Sequence, residues 1–139
     1  MRRSGVTDGV VNVQTRHTTT AILINENEPL LIQDLLDLME VWAPSDVDYR
    51  HDDLGARQAP FMLEERVNGH AHARAVLLGS SRGLNIVDGR LQLGRWQRIF
   101  LVELDGPRER HVSVTVLGFV DRGRPTGKRL EATRQSAVA

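Results

Sequence analysis

The sequence predicts a single α+β domain, on the strength of two apolar patterns of helical period set among several short runs rich in β-branched residues. Size agrees, since 139 residues of which 40% are apolar suit one hydrophobic core. Residues 1–120 read as the folded domain. Residues 121–139 are basic, polar and unpatterned, and are expected to form a disordered tail.

Val10-Val11-Asn12-Val13 reads as a first strand and Ala21 to Ile24 as a second, with His17 between them in a stretch of threonines. Asn25-Glu26-Asn27-Glu28-Pro29 carries helix-start chemistry: Asn caps, acids suit the first turn, and Pro is tolerated where its missing N–H has no helical partner. The helix is expected over about Glu28 to Val41. Leu31, Leu35, Leu38 and Trp42 recur at helical spacing and Ile32, Leu36 and Met39 widen the stripe, so the helix should lie flat on a core with Trp42 as packing. Ala43-Pro44 stops it. The acidic stretch from Ser45 to Asp53 has the character of a loop able to carry ligands, and Leu54 to Val67 shows no pattern.

Asn68-Gly69 opens a second predicted helix through Ala71, Ala75 and Leu78, ended by Gly79. Residues two apart on a helix point about 200° away from each other, so at most one of His70 and His72 can face a given site; on a strand the two would share a face. The remainder reads as a meander: a hairpin of Leu84 to Val87 and Leu91 to Leu93 around Asp88-Gly89, then strands over Gln97 to Leu104 and His111 to Val120, the last alternating, in a sheet with one buried face.

Lys plus Arg and Asp plus Glu are 18 each, so no overall field draws the chain to nucleic acid or an anionic membrane. Only the basic tail suggests nucleic acid, weakly. Without cysteine there are no disulfides, thiolate metal sites or cysteine nucleophiles, which leaves His, Asp and Glu as ligands and acid/base groups. The start of the chain lacks the apolar stretch of a secretory signal, and no apolar run reaches a bilayer-spanning length, so a cytoplasmic location is expected. No phosphate-binding glycine loop, dinucleotide fingerprint or serine-hydrolase elbow is present.

The chain carries five histidines. His111 begins an alternating strand and receives no role. His17 is either a sheet histidine bonded to a neighbouring hydroxyl or carbonyl, or a site residue. His51 stands apart because Asp52 and Asp53 follow it, and a carboxylate beside an imidazole either fixes its tautomer or binds a cation itself. Imidazoles from three separated segments would suit catalytic zinc, although the tight paired-histidine spacings of zinc motifs are missing. Asp52, Asp53 or Glu26 with a substrate phosphate would instead suit magnesium. Free N–H groups near Asn27 to Leu30 would welcome a phosphate or serve an ordinary cap. At Gly94-Arg95-Trp96-Gln97, the indole and amide either stack on and bond a heteroaromatic ring or fill a core corner.

Several of these segments together resemble the YjbQ family: Arg16-His17-Thr18-Thr19, Asn25-Glu26-Asn27-Glu28, Tyr49-Arg50-His51-Asp52-Asp53, Asn68-Gly69-His70-Ala71-His72, Leu77-Leu78-Gly79-Ser80-Ser81 and Gly94-Arg95-Trp96-Gln97. The resemblance runs in order from Val10 to Gly118. It implies a trimer-forming α+β fold, a mixed or antiparallel half-barrel-like sheet carrying two main helices; family members usually begin with further N-terminal strands and most of a helix, which this chain lacks before Ser4-Gly5-Val6. It implies secondary thiamine-phosphate synthase activity, the coupling of a hydroxymethylpyrimidine diphosphate to a thiazole phosphate with release of pyrophosphate. By that resemblance His17, Glu26, His51 and Asp52 are catalytic candidates, His17, His51 and His72 candidate ligands of a divalent metal (zinc or magnesium), and Asn25, Arg95, Trp96 and Gln97 substrate-binding candidates. Arg95 stands where the family has threonine and would add a phosphate-binding cation. The alternatives are a metal-dependent hydrolase of a small phosphate or amide, with Glu26 or Asp52 as general base, and a non-enzymatic trimeric metabolite-binding protein. The expected partners are a small phosphorylated heteroaromatic substrate and two further copies of the chain.

Overall fold

The computed structural model describes residues 4–57 and 66–120. Part of the unpatterned Leu54 to Val67 segment and the whole expected tail lie outside the described residues. The elements are β1 (Val6–Thr15), β2 (Thr20–Glu26), α1 (Pro29–Trp42), a short 3₁₀ turn (Arg50–Asp52), α2 (Gly69–Leu78), β3 (Ser81–Val87), β4 (Arg90–Leu91), β5 (Gln97–Glu103) and β6 (Val112–Val120). The α+β expectation holds, and the helix limits expected for α1 and α2 fall within a residue of those observed.

The strands do not form the expected meander. They make a four-stranded antiparallel sheet in the order β4-β3-β1-β6 and a two-stranded sheet of β2 and β5. Only β3 and β4 pair as chain neighbours in the second half, through a turn in which Asp88 and Gly89 take the positive φ values of 50° and 70°. That is the tight hairpin that Asp-Gly favours. β5 returns to β2 and β6 to β1, because pairing follows the faces each strand can bury and not adjacency in the chain.

The β2–β5 pair is the middle layer. Ile24 and Ile99 on one face pack against Val6, Val11, Leu84 and Ile86 of the larger sheet. Ala21 and Val102 on the other face pack against Met39 of α1 and Ala71, Ala75 and Leu78 of α2. Small residues at 21, 71 and 75 let α2 sit close on β2. Between β1 and β6, Gly9 and Gly118 face each other in register, and a Cβ on either would strike the opposing backbone.

One face of the four-stranded sheet is buried, as expected, but the packing expected of α1 is corrected. α1 buries Met39 alone among its residues, while Leu38, Val41 and Trp42 stay exposed, so the apolar stripe is wider than the surface it meets. Along β6 only Val116 packs on the core, against the cluster that Ile24 and Ile99 also meet, while Val112 and Val114 on the same side and Leu117 and Phe119 on the other are exposed.

Candidate functional site

The turn joining β1 to β2 is built by hydroxyls. Thr15 and Thr20 side chains bond each other at 2.5 Å, the His17 backbone N–H donates to Thr15 Oγ1, and Thr20 Oγ1 donates to the His17 carbonyl. Thr20 has one proton and gives it to the carbonyl, so Thr15 donates to Thr20. This relay fixes the backbone of His17 with buried groups.

The far side of the turn is held by His111. Its carbonyl accepts from Arg16 N–H at 3.0 Å, and its own N–H donates to His17 Nε2 at 2.7 Å. The two imidazoles lie with ring centroids 5.7 Å apart. Burial, Arg110 and His111 together hold the His17 pKa below the ordinary imidazole value, with Glu103 acting in the opposite direction. Arg110 is itself paired with Glu103, at 2.5 and 2.6 Å, and also reaches Thr19 Oγ1.

Between this turn and α2 lies a cleft of about 350 Å³, lined on the polar side by His17, Thr18, Thr20, His72 and Ser80. Ala75, Val76 and Gly79 complete its wall. Volumes of this order suit a small ligand. Among the described residues no carboxylate lines the cleft.

Behind His72, the ring of His51 makes an edge contact at 4.5 Å between centroids. His51 Nε2 is buried and finds no hydrogen-bond partner among the described residues. Asp52 sets this contact: its Oδ1 accepts from the N–H groups of Asn68 and Gly69, both at 2.9 Å, tying the 3₁₀ turn to the start of α2. Asn68 in turn donates to Asp105, which also pairs with Arg108.

Of the candidates named from the sequence, the fold thus brings His17 and His72 into one cleft, with His51 behind them. His70 does not line the cleft, as helix geometry required. Asp52 is a capping group and Asp53 a turn former that accepts from Gly55 and Ala56 N–H. The acid at the start of α1 is likewise a cap: Glu28 accepts from Leu30 and Leu31 N–H, filling with its own carboxylate the place a phosphate would take.

Glu26, Asn25, Arg95, Trp96 and Gln97 form a second group elsewhere. Glu26 pairs with Gln97 and Asn25 with Arg98 across β2 and β5. Thr20 of the cleft and Glu26 are the two ends of the seven-residue strand β2, roughly 20 Å apart at about 3.3 Å per residue. Within one chain, Glu26 therefore does not reach the histidines. Trp96 is exposed, and the Arg95 guanidinium lies 4.8 Å from its ring centroid, so one face of the indole is already covered.

The three histidines do not make the zinc site that their residue types would allow. Among the described residues no group of three or more His, Asp or Glu side chains has an arrangement able to hold a metal ion. His17 Nε2 is taken up by the His111 N–H, so the three-imidazole set does not fit as placed. The part played by His111 has no local signature in the chain, because it meets His17 through a pairing with a distant segment.

A histidine-lined cleft between a helix and a two-stranded layer, backed by an antiparallel sheet, defines a small α+β protein with a ligand-sized site. Residues 1–119 match the family model described as UPF0047 protein YjbQ-like, and the chain belongs to this family. A UPF0047 protein of Methanothermobacter thermautotrophicus is 41% identical over 118 residues, covering 85% of this chain and 75% of the relative. One from Archaeoglobus fulgidus is 44% identical over 110 residues, 79% of each. Among solved structures, a YbjQ-like protein of unknown function from Sulfolobus solfataricus superposes with a TM-score of 0.74 at 35% identity, covering 85% of this chain and 78% of that one. Among the described residues no helix is long and apolar enough to cross a membrane.

Proposed function

We propose that the cleft is a substrate site and that the chain is a transferase resembling secondary thiamine-phosphate synthase. The observation that carries this reading is a cleft whose polar lining groups are imidazoles and hydroxyls, without a carboxylate among the described residues. In the coupling, the thiazole nitrogen attacks the pyrimidine methylene, the C–N bond forms as the C–O bond to diphosphate breaks, and pyrophosphate leaves with the bonding pair. No proton has to move in that step. Its demand is stabilisation of negative charge on the leaving group, which positioned N–H and O–H donors supply. The carboxylates that a hydrolase reading would use as general base, Glu26 and Asp52, are both placed away from the cleft wall.

In this reading His17 and His72 touch the substrate, His51 backs His72, and Asp52 positions the two. The Arg95–Trp96 pair contributes to substrate binding only across a subunit boundary, consistent with a homotrimer. Exposed Leu117 and Phe119 on β6 support such an assembly. A divalent cation would serve as the counter-ion of the diphosphate.

The test is formation of thiamine phosphate from hydroxymethylpyrimidine diphosphate and thiazole phosphate by purified protein with magnesium. Turnover well above a His51→Ala control is expected. Turnover equal to that control overturns the synthase reading, and an oxyanion that raises the melting temperature without any turnover selects a metabolite-binding protein instead.

A further inference from the structure

The hydrogen bond from His111 N–H to His17 Nε2 has a direction that chemistry dictates. A backbone N–H only donates, so Nε2 carries a lone pair, and the neutral ring keeps its single proton on Nδ1. His17 lines the cleft, and with Nε2 occupied its remaining polar atom is a donor. We infer that His17 is a fixed Nδ1–H donor and that the cleft receives the oxyanion end of its ligand, a phosphate or carboxylate, directly and not through a metal held by three imidazoles. The inference rests on the reading of the cleft as the ligand site and names what that site takes.

Three further observations agree. The cleft wall offers the Thr18 and Ser80 hydroxyls beside His17 and His72, and among the described residues carries no acid that would repel an anion or recruit a cation. The titratable groups acting on the His17 ring are Arg110, His111, Glu103 and Arg16, with Glu103 occupied by Arg110. The ring also has no freedom to turn its Nε2 toward a metal while the His111 contact stands. That contact is reinforced by the Arg16 N–H to His111 carbonyl bond, so the turn and the start of β6 are held by two bonds of opposite sense.

The experiment is nitrogen-resolved NMR of the histidine rings of the full chain at neutral pH, followed by titration with inorganic phosphate and, separately, with zinc. The expected result is the Nδ1–H tautomer for His17, with saturable phosphate-induced shifts at His17 and His72. His17→Ala should bind phosphate roughly tenfold or more weakly, the scale of a lost bond to a charged group, and His17→Asn, which keeps a donor near the Nδ1 position, should recover most of it. An Nε2–H tautomer overturns the donor assignment. Shifts of His17, His51 and His72 together on binding one zinc per chain overturn the metal-free oxyanion site, as does a correct tautomer with no phosphate response. Because these readouts need no turnover, loss of the synthase reading leaves them standing, and their loss leaves the synthase assay to be judged separately.

Discussion

At the scale of single residues, Gly69 shows how backbone approach and site geometry are joined. It opens α2 against Tyr49, and a Cβ at this position would overlap the Tyr49 Cβ and come within 2.7 Å of its Cγ. Alanine normally favours a helix over glycine by up to about 1 kcal/mol, yet overpacking costs about 1–3 kcal/mol. Gly69→Ala is therefore expected to destabilise the fold by about 1–2 kcal/mol in urea unfolding and to displace the His51–His72 contact. Unchanged or raised stability would show that Tyr49 yields freely. At this scale legibility was uneven. Helix geometry alone limited the His70 and His72 pair to one site residue, and His72 is the one in the cleft. The position of His111 beside His17, 94 residues along the chain, had no local signature. Asp52 looked like chemistry because it follows His51, whereas its bonds are to the N–H groups that open α2.

At the scale of elements, α1 and α2 are joined by an ion pair beside the core cluster that Met39 shares with Ala71 and Ala75. Arg74 of α2 meets Glu40 of α1 at 2.7 Å and also donates to the Ala43 carbonyl, while Ser45 bonds Glu40 through its N–H and hydroxyl. The Arg74 hydrogen bond, aided by the Ser45 N–H, lowers the Glu40 pKa from 4.5 to about 2. A depressed folded-state pKa stabilises the fold above the unfolded value and ceases to do so as pH falls through the folded one. The Glu40 contribution is thus fully present above about 4.5 and lost by about 2. Melting temperatures should fall across that window, and Glu40→Gln should flatten this part of the profile while lowering stability at neutral pH. Since Glu40 is half exposed, added salt should weaken the effect. An identical slope in the variant would remove Glu40 from the account. The helices and strands themselves were legible from period and turn chemistry, down to the Asp88-Gly89 hairpin. Pairing was not, since alternation in Val112 to Val116 identifies a strand without naming β1 as its partner or showing that only Val116 reaches the core.

At the scale of the whole molecule, exposed apolar residues lie on the outer faces of α1 and α2 and along the edge strand β6. Among the described residues β6 pairs only with β1, and on its outer face Leu117 and Phe119 are 64% and 80% exposed, beside Val10 at 46%. Val114 on the opposite face of β6 is 59% exposed. An apolar strand this exposed, and open along one edge, costs solubility and invites strand pairing unless another surface covers it. A homotrimer would provide that cover with further copies of the same chain and would let the Arg95–Trp96 end of one subunit approach the cleft of another. Light scattering on the purified protein is expected to give three chains per particle. Leu117 and Phe119 contribute little to the core of their own chain, so replacing both with serine should shift the protein toward monomer while its circular dichroism stays that of a folded α+β chain. If the trimer brings the two groups of candidate residues together, the same double variant should also lose synthase turnover with its phosphate binding retained. A monomeric wild-type protein, or a trimer indifferent to both substitutions, would place the assembly surface elsewhere and confine the working site to the cleft of a single chain.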